Sequence, residues 1–172
     1  MMAWRPGNAP AVAMDTKATT DFPNLSLASG AGRLGMLFAH PQDPDKPDAG
    51  IWYVSSSDGK SWSKPVMVPI DGPRSSNHPE SVSIDSGGRV IAAFGSNSGS
   101  EGPKCGSPMV SRSPDGAHWK TCGLGTAADE GNFEVQPSSI RTLVSGDDTV
   151  YVLWPQVTDN KFGKGLLIWH GR

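Results

Sequence analysis

The chain has 172 residues, and its 15 basic and 17 acidic side chains leave a formal net charge of −2, which argues against a nucleic-acid binder and a highly charged disordered tail. Hydrophobic residues make up 36%, enough for a core, whereas 21 glycines and 15 prolines are more than a helical bundle tolerates. We therefore predict a soluble all-β domain rich in turns, with no membrane span, because no apolar run approaches the roughly 18 residues required.

The ends and the cysteines say little about location. Residues 1–14 lack the apolar stretch of a secretory signal, so the compartment stays unassigned, with a secreted or cell-surface protein as one option. Cys105 and Cys122 allow one intramolecular pairing, and a disulfide or two free thiols are both compatible with the sequence. No Cys/His spacing or glycine-rich phosphate loop is present, so we predict no metal and no cofactor.

A repeat of about 57 residues organises the chain in order. Each unit contains a first strand beginning at proline, a turn with small residues, a second strand ending in an aromatic residue, and a third strand. The predicted first strands are 23–27, 79–84 and 137–141, the second are 34–38, 90–94 and 150–154, and the third are 51–55, 107–111 and 166–170. A connection of similar length in all three units precedes the glycine that opens each third strand, at Gly50, Gly106 and Gly165.

Two third strands lead into nearly identical heptapeptides, at residues 56–62 and 113–119. Both have the pattern S-x-D-G-x-x-W, and the positions that define it are Ser56, Asp58, Gly59, Trp62, Ser113, Asp115, Gly116 and Trp119. Asp-Gly favours a tight turn between strands, the serine adds a local hydrogen-bond partner, and the tryptophan can pack back over the hairpin. We interpret both heptapeptides as scaffold and not as catalytic groups.

This pattern resembles the Asp-box, or BNR repeat, of the sialidase-like (neuraminidase) superfamily. The resemblance implies a β-propeller of four-stranded antiparallel blades, with Asp-boxes on the turn between the third and fourth strands, away from the active site. One repeat before Trp62 stands Trp4, so the N-terminal MMAW resembles the end of such a turn. Residues 10–14 then resemble the fourth strand that follows it. The chain then contains about three blades, in repeats of approximately 1–58, 59–115 and 116–172.

Three blades are too few to close a ring, since propellers have about four to eight. We favour a segment of a longer six-bladed propeller. The alternative is a homodimer in which two copies complete a six-bladed ring, each N-terminal strand completing the other copy's last blade.

The rim opposite the heptapeptides carries the candidate site residues. The first loop between second and third strands contains Asp43, Asp45 and Asp48, whose mutual repulsion can raise a pKa as a general acid requires. Oxygen ligation of calcium is an alternative, but the loop lacks the glycine and terminal glutamate of a calcium loop. A simply solvated acidic loop is the plain interpretation.

The connections between blades supply further candidates for substrate binding, namely Arg74, His78, Glu80 and Glu134. Arg74 has the planar fork that binds a ligand carboxylate, although an exposed loop arginine is the ordinary interpretation. We expect His78, next to Pro79, to be a turn residue and not a catalytic base.

The resemblance implies the catalytic groups of sialidases, which are an arginine triad, a tyrosine nucleophile activated by a glutamate, and an aspartate acid/base. The first triad arginine is missing, because residues 21–23 read Asp-Phe-Pro. Asp45 or Asp48 is the nearest match to the acid/base, and Glu134 is a loose match to the activating glutamate. Tyr53 and Tyr151 lie in predicted strands and are poor candidates for the nucleophile.

Two functions remain open, besides a plain scaffold domain without a ligand. The first is part of an exo-α-sialidase-type glycoside hydrolase acting on glycans. The second is a non-catalytic propeller segment that binds a glycan or a protein. Both leave a glycan as the expected partner, without nucleic acid.

Overall fold

The computed structural model describes residues 2–3, 11–12, 25–40, 50–69, 77–96, 109–123, 140–158 and 161–171. Every regular element in these ranges is a β-strand. The strands are β1 (Met2–Ala3), β2 (Ala11–Val12), β3 (Leu25–Gly30), β4 (Arg33–His40), β5 (Gly50–Ser56), β6 (Val66–Met67), β7 (Asn77–Ile84), β8 (Val90–Ser96), β9 (Met109–Ser113), β10 (Lys120–Gly123), β11 (Arg141–Val144), β12 (Val150–Thr158) and β13 (Lys161–Gly171). No described helix is long and apolar enough to span a membrane.

The strands form three antiparallel meanders in chain order. The first blade is β3-β4-β5-β6, the second blade is β7-β8-β9-β10, and the third blade contains β11-β12-β13. Each strand pairs with its sequence neighbour, which is the arrangement of a propeller blade. The predicted fold, an all-β propeller of four-stranded antiparallel blades with about three present, is confirmed.

The blades stack face to face and share two hydrophobic cores. The core between the first and second blades includes Leu37, Tyr53 and Phe94, and the core between the second and third includes Ile91 and Val152. Packing is close at the innermost strands, where a Cβ at Gly30 would lie 2.5 Å from the carbonyl oxygen of Ile84. This contact explains why the first blade has a glycine at the end of β3.

The turns between first and second strands also connect the blades. In the third blade, Asp148 adopts a positive φ of 62°. Its carboxylate accepts hydrogen bonds from the backbone N–H of Ser86, at 2.9 Å, and from the Ser86 hydroxyl, at 2.6 Å. These hydrogen bonds hold the pKa of Asp148 below its ordinary value of 3.8, chiefly through the Ser86 hydroxyl. The carboxylate therefore joins the turns of adjacent blades in its ionised form.

Two expectations need correction. Met2–Ala3, expected at the end of a turn, and Ala11–Val12, expected in the fourth strand of a blade, instead pair as β1 and β2 in a separate two-stranded sheet, with Met2 opposite Val12. Closing this short hairpin costs less chain entropy than pairing with a distant blade. In the third blade, the predicted connection between second and third strands is instead mostly strand, and Thr158 pairs with Lys161. A β-bulge between Pro155 and Val157 accommodates the proline, which has no N–H for the ladder.

Candidate functional site

The rim opposite the heptapeptides is largely outside the described residues. Asp45, Asp48, Arg74 and Glu134 fall there, as do Asp43 and Cys105. The sequence assignments for these six residues therefore stay predictions. The strand ends that frame the rim are described, and they place two further candidates.

His78 and Glu80 lie in β7. His78 pairs with Gly95 of β8, so the expectation that it is a turn residue is wrong. A β-bulge between Pro79 and Ser81 leaves Glu80 without a cross-strand partner residue. Pro79 lacks an N–H, which favours the irregularity, and bulges are frequent next to active sites. Glu80 is therefore the bulged residue of β7, near the end of the strand that meets this rim.

The first heptapeptide, residues 56–62, forms a turn built around two side chains. The Ser56 hydroxyl accepts hydrogen bonds from the backbone N–H of Gly59, at 2.9 Å, and of Asp58, at 3.3 Å. Asp58 Oδ1 accepts from the backbone N–H of Ser61, at 2.8 Å, and of Lys60, at 2.7 Å. Gly59 has a φ of 69°, which glycine adopts without strain. The serine and the aspartate of the motif are therefore both used within the turn.

The second heptapeptide, residues 113–119, repeats this geometry. The Ser113 hydroxyl accepts from the Gly116 N–H at 2.7 Å, and Asp115 Oδ1 accepts from the N–H groups of His118, at 2.9 Å, and Ala117, at 2.8 Å. His118 Nδ1 lies 2.7 Å from Asp115 Oδ2. Gly116 has a φ of 84°. Two segments one repeat apart thus fold into the same hydrogen-bonded turn.

These aspartates are unsuited to donating a proton near neutral pH. The backbone N–H groups of Ser61 and Lys60 lower the pKa of Asp58 from 3.8 to about 2. The pKa of Asp115 is lowered further, chiefly by the backbone and side chain of His118. A general acid needs a pKa near the working pH, so both carboxylates act structurally.

The two tryptophans at the ends of the heptapeptides have different roles. Trp119 donates its indole N–H to the Gly116 carbonyl at 3.1 Å and packs edge-on against Tyr53, with ring centroids 5.3 Å apart. It therefore fastens the second turn to the core of the first blade. Trp62 packs on Met36, Phe38 and Val54, but its buried indole N–H has no described acceptor.

Neither tyrosine of the chain is placed as a nucleophile. Tyr53, in β5, is 1% exposed, and burial raises the pKa of its phenol, with a smaller opposing effect from Arg33. Tyr151 is more exposed, but it is the second residue of β12, close to the turn at the heptapeptide rim. Its ring lies 6.1 Å from that of His170, between centroids. Both observations agree with the sequence-based judgement that these tyrosines are poor nucleophiles.

One cleft lies at the heptapeptide rim, in a region that the sequence did not single out. Its volume is about 420 Å³, and it is lined by Arg33, Ser55, Ser56, Ser57, Ser61, Trp62 and Ser63. Arg33 Nη1 donates to the Asp115 carbonyl oxygen of the second blade at 3.4 Å. Its Nε and Nη2 are buried without a hydrogen-bond partner among the described residues. The sequence signal that could have drawn attention to Arg33 is the recurrence of arginine one repeat later, at Arg89.

Metal ligation finds no support within the described ranges, where no three His, Cys, Asp or Glu side chains are grouped for it. Cys122 lies in β10, but its pairing depends on Cys105, which is not described.

Comparison with known proteins gives little further identification. No protein-family model matches the chain, and no curated protein matches it. Among solved structures, it is similar to the GH32 beta-fructofuranosidase BmSUC1 of Bombyx mori, with a TM-score of 0.42 and 16% identity. The match covers 87% of this chain and 32% of that enzyme, so the chain spans about a third of its length. At this TM-score and identity, the similarity assigns neither a family nor an activity.

Proposed function

We propose that the chain is part of a sialidase-like Asp-box propeller that acts on glycans as an exo-α-sialidase-type glycoside hydrolase. The observation that supports this best is the pair of heptapeptide turns. Both lie between the third and fourth strands of a blade, and both use serine and aspartate in the same set of backbone hydrogen bonds. Such a pair at one repeat spacing is far more specific than a single Asp-Gly turn.

In this proposal the glycan binds at the rim opposite those turns. Asp45 or Asp48 in the first loop is the acid/base, and Arg74, His78, Glu80 and Glu134 contact the substrate. The bulge at Glu80 supports this location, because it interrupts β7 at the end that meets the rim. The repeat units 1–58, 59–115 and 116–172 then each contribute one set of loops.

The test is turnover of a fluorogenic α-sialoside by the protein and by its Asp45→Ala and Asp48→Ala variants. One of the two variants should lose most of the activity, since general acid–base catalysis contributes roughly 10²–10⁴-fold. Asp43→Ala is the comparison variant, because it removes a carboxylate of the same loop that is not assigned as the acid/base and lowers only the repulsion that raises the pKa; it should lose clearly less activity than the variant that lacks the acid/base. If both variants keep the parent's turnover, the acid/base assignment is wrong.

A non-catalytic glycan- or protein-binding propeller is the second candidate, and the tyrosines favour it. Tyr53 is buried in the core and Tyr151 lies at the heptapeptide end of β12, so the chain offers no tyrosine to the loop rim. Saturable binding of sialyllactose without hydrolysis would support this candidate over the enzyme. Hydrolysis by the 172-residue chain would exclude it.

The alternative to a longer chain is a ring completed by a second copy, and either one would cover the apolar faces that the end blades expose. Leu25 and Leu27 are 47% and 58% exposed on the first blade. On the third blade, Leu143, Tyr151 and Ile168 lie on the face opposite the buried Val152 and are 58%, 37% and 57% exposed. Equivalent faces inside the chain are buried between blades. Light scattering after size exclusion should give a dimer mass, and a monodisperse monomer would contradict it.

A further inference from the structure

Each heptapeptide contains an Asp-Gly bond, Asp58–Gly59 in the first and Asp115–Gly116 in the second. Such a bond is prone to spontaneous isomerisation, because glycine has no Cβ to hinder an intramolecular attack by its nitrogen. The nitrogen bonds to Cγ of the aspartic acid, the carboxyl hydroxyl leaves as water with the amide proton, and a cyclic succinimide forms. Water then opens the ring at either carbonyl, which restores aspartate or gives isoaspartate, with one more methylene in the main chain.

The nitrogen that would attack is occupied in both turns. The Gly59 N–H donates to the Ser56 hydroxyl at 2.9 Å. The Gly116 N–H donates in the same way to the Ser113 hydroxyl at 2.7 Å. Both serines are buried, so each hydroxyl stays in place as the acceptor. Because the amide proton has to leave before the nitrogen can bond to Cγ, this hydrogen bond keeps the nitrogen in its unreactive state.

The carboxyl group that would be attacked is occupied as well. Asp58 Oδ1 accepts the backbone N–H groups of Ser61, at 2.8 Å, and of Lys60, at 2.7 Å. Both donors follow Gly59 in the chain, so closing a ring on the Gly59 nitrogen moves the carboxyl group away from them. The same N–H groups, Ser61 more than Lys60, lower the pKa of Asp58 from 3.8 to about 2. The reaction starts from the neutral acid, whose hydroxyl can leave as water, and little of that form is present near neutral pH.

The two turns differ in the space around the glycine. Gly116 is buried, and a Cβ there would lie 2.5 Å from Cε1 of Tyr53. Gly59 is half-buried, and the nearest described atom to a Cβ there lies 3.4 Å away. A succinimide places the former carboxyl carbon on the glycine nitrogen, and isoaspartate lengthens the chain beside it, so both need room at the glycine. Asp115 is also held through Oδ2, which lies 2.7 Å from His118 Nδ1. The rearrangement is therefore more restricted in the second turn.

We infer that the serine of each heptapeptide protects the Asp-Gly bond of its own turn from isomerisation, and that Asp58–Gly59 is the less protected of the two and is modified first. The serine of the S-x-D-G-x-x-W pattern then has a chemical role besides shaping the turn. This inference concerns the scaffold turns, so it does not depend on the proposed action on glycans. The third Asp-Gly sequence of the chain, at residues 71–72, lies outside the described residues.

Isotope labelling measures the reaction in the folded protein. The full chain is incubated in H₂¹⁸O near neutral pH, because each opening of a succinimide places ¹⁸O in the product, whether aspartate or isoaspartate. Peptide mapping by mass spectrometry then gives the rate at each bond. In the folded protein the rate at 58–59 should exceed that at 115–116, and denaturant should raise both at least about tenfold, since several hydrogen bonds are lost. Labelling as fast in the folded as in the denatured chain, or faster labelling at 115–116, would overturn the inference.

Serine variants test the role of the hydroxyl. Ser56→Ala removes the acceptor of the Gly59 N–H, so the rate at 58–59 should rise by about five- to tenfold, as expected for the loss of one hydrogen bond. Ser57→Ala is the matched control, because Ser57 is an exposed serine of the same turn whose side chain takes no part in the described hydrogen bonds that hold it. It should leave the rate unchanged. If Ser56→Ala were labelled no faster than Ser57→Ala, the serine would not be the protecting group.

The second turn distinguishes local protection from unfolding within the same sample. Loss of local protection in Ser56→Ala raises the rate at 58–59 and leaves the rate at 115–116 as in the parent. Ser113→Ala should give the converse result, with the rise confined to 115–116. A rise at both bonds in either variant would assign the effect to general unfolding and would contradict a role of each serine in its own turn.

Discussion

The substitution Gly116→Ala should destabilise the protein far more than the same change at Gly59, although both glycines occupy one position of the heptapeptide. A Cβ at position 116 would lie 2.5 Å from Cε1 of Tyr53, whereas a Cβ at 59 would meet only Leu34 Cδ1, at 3.4 Å. The Tyr53 ring cannot retreat, because its other edge faces Gly35, where a Cβ would lie 2.9 Å from Cε2. The ring is thus held between two glycines.

The two variants share one penalty and differ in a second. Both glycines have φ values in the left-handed region, 84° and 69°, where alanine costs about 1 kcal/mol. Overpacking against a ring that cannot move typically costs roughly a further 1–3 kcal/mol, and this applies to Gly116 alone. We expect the free energy of unfolding to fall by about 3 kcal/mol in Gly116→Ala and by about 1 kcal/mol in Gly59→Ala.

Urea unfolding followed by tryptophan fluorescence measures both changes, and thermal unfolding checks them. At about 2–4 °C per kcal/mol for a protein of this size, Gly116→Ala should melt roughly 6–12 °C below the parent. The penalty should persist when Tyr53→Phe is added, because the contact is with a ring carbon and not with the hydroxyl. If the two alanine variants were equally stable, the packing of the second turn against the first blade would not be what requires glycine.

Three further predictions concern buried and ionised groups. Asp58 has a pKa of about 2, below its ordinary value of 3.8, so its carboxylate stabilises the fold above that ordinary value and loses the effect as the pH falls through 2. Urea unfolding measured from neutral pH down to about pH 2 should therefore show a smaller fall in the free energy of unfolding for Asp58→Asn than for the parent. Identical profiles would contradict this. Tyr53→Phe should leave the free energy of unfolding unchanged or raise it by up to about 1 kcal/mol, because the buried hydroxyl has no described partner; a clear loss would show that the hydroxyl is bonded. Thr142→Val should cost about 2 kcal/mol, because Thr142 Oγ1 lies 2.8 Å from Ser81 Oγ and 2.7 Å from Ser83 Oγ in the interface of the second and third blades. The control Thr149→Val removes a more exposed hydrogen bond to Asp147 and should cost clearly less.

Sequence periodicity predicted the strands well because the signal is local. Alternating apolar residues and a glycine-containing turn define a hairpin without any distant partner, so β4, β5 and β8 fall within a few residues of their expected bounds. The chemistry of Ser56 and Asp58 was also readable, since both act on backbone groups within the same short turn. The extended β12–β13 hairpin was not predicted, because pairing of Thr158 with Lys161 depends on a bulge that absorbs Pro155.

The Arg33 cleft could not be predicted for a different reason. Its character depends on which residue faces the arginine across a turn, and the turns differ in length. Arg33 pairs with Gly30 over a short turn, whereas Arg89 closes a longer one onto Asp85. The repeat offset that aligns Arg89 with Arg33 would align Asp85 with Ser29, which is exposed. Only the register shows that glycine stands where the next blade has its carboxylate.

The described contacts link neighbouring blades at the heptapeptide rim. Three links between blades converge there: Arg33 to the Asp115 carbonyl, the Tyr53 ring against Gly116, and Ser86 to Asp148. Each joins a turn of one blade to a neighbouring blade, so a change in one turn is felt across an interface.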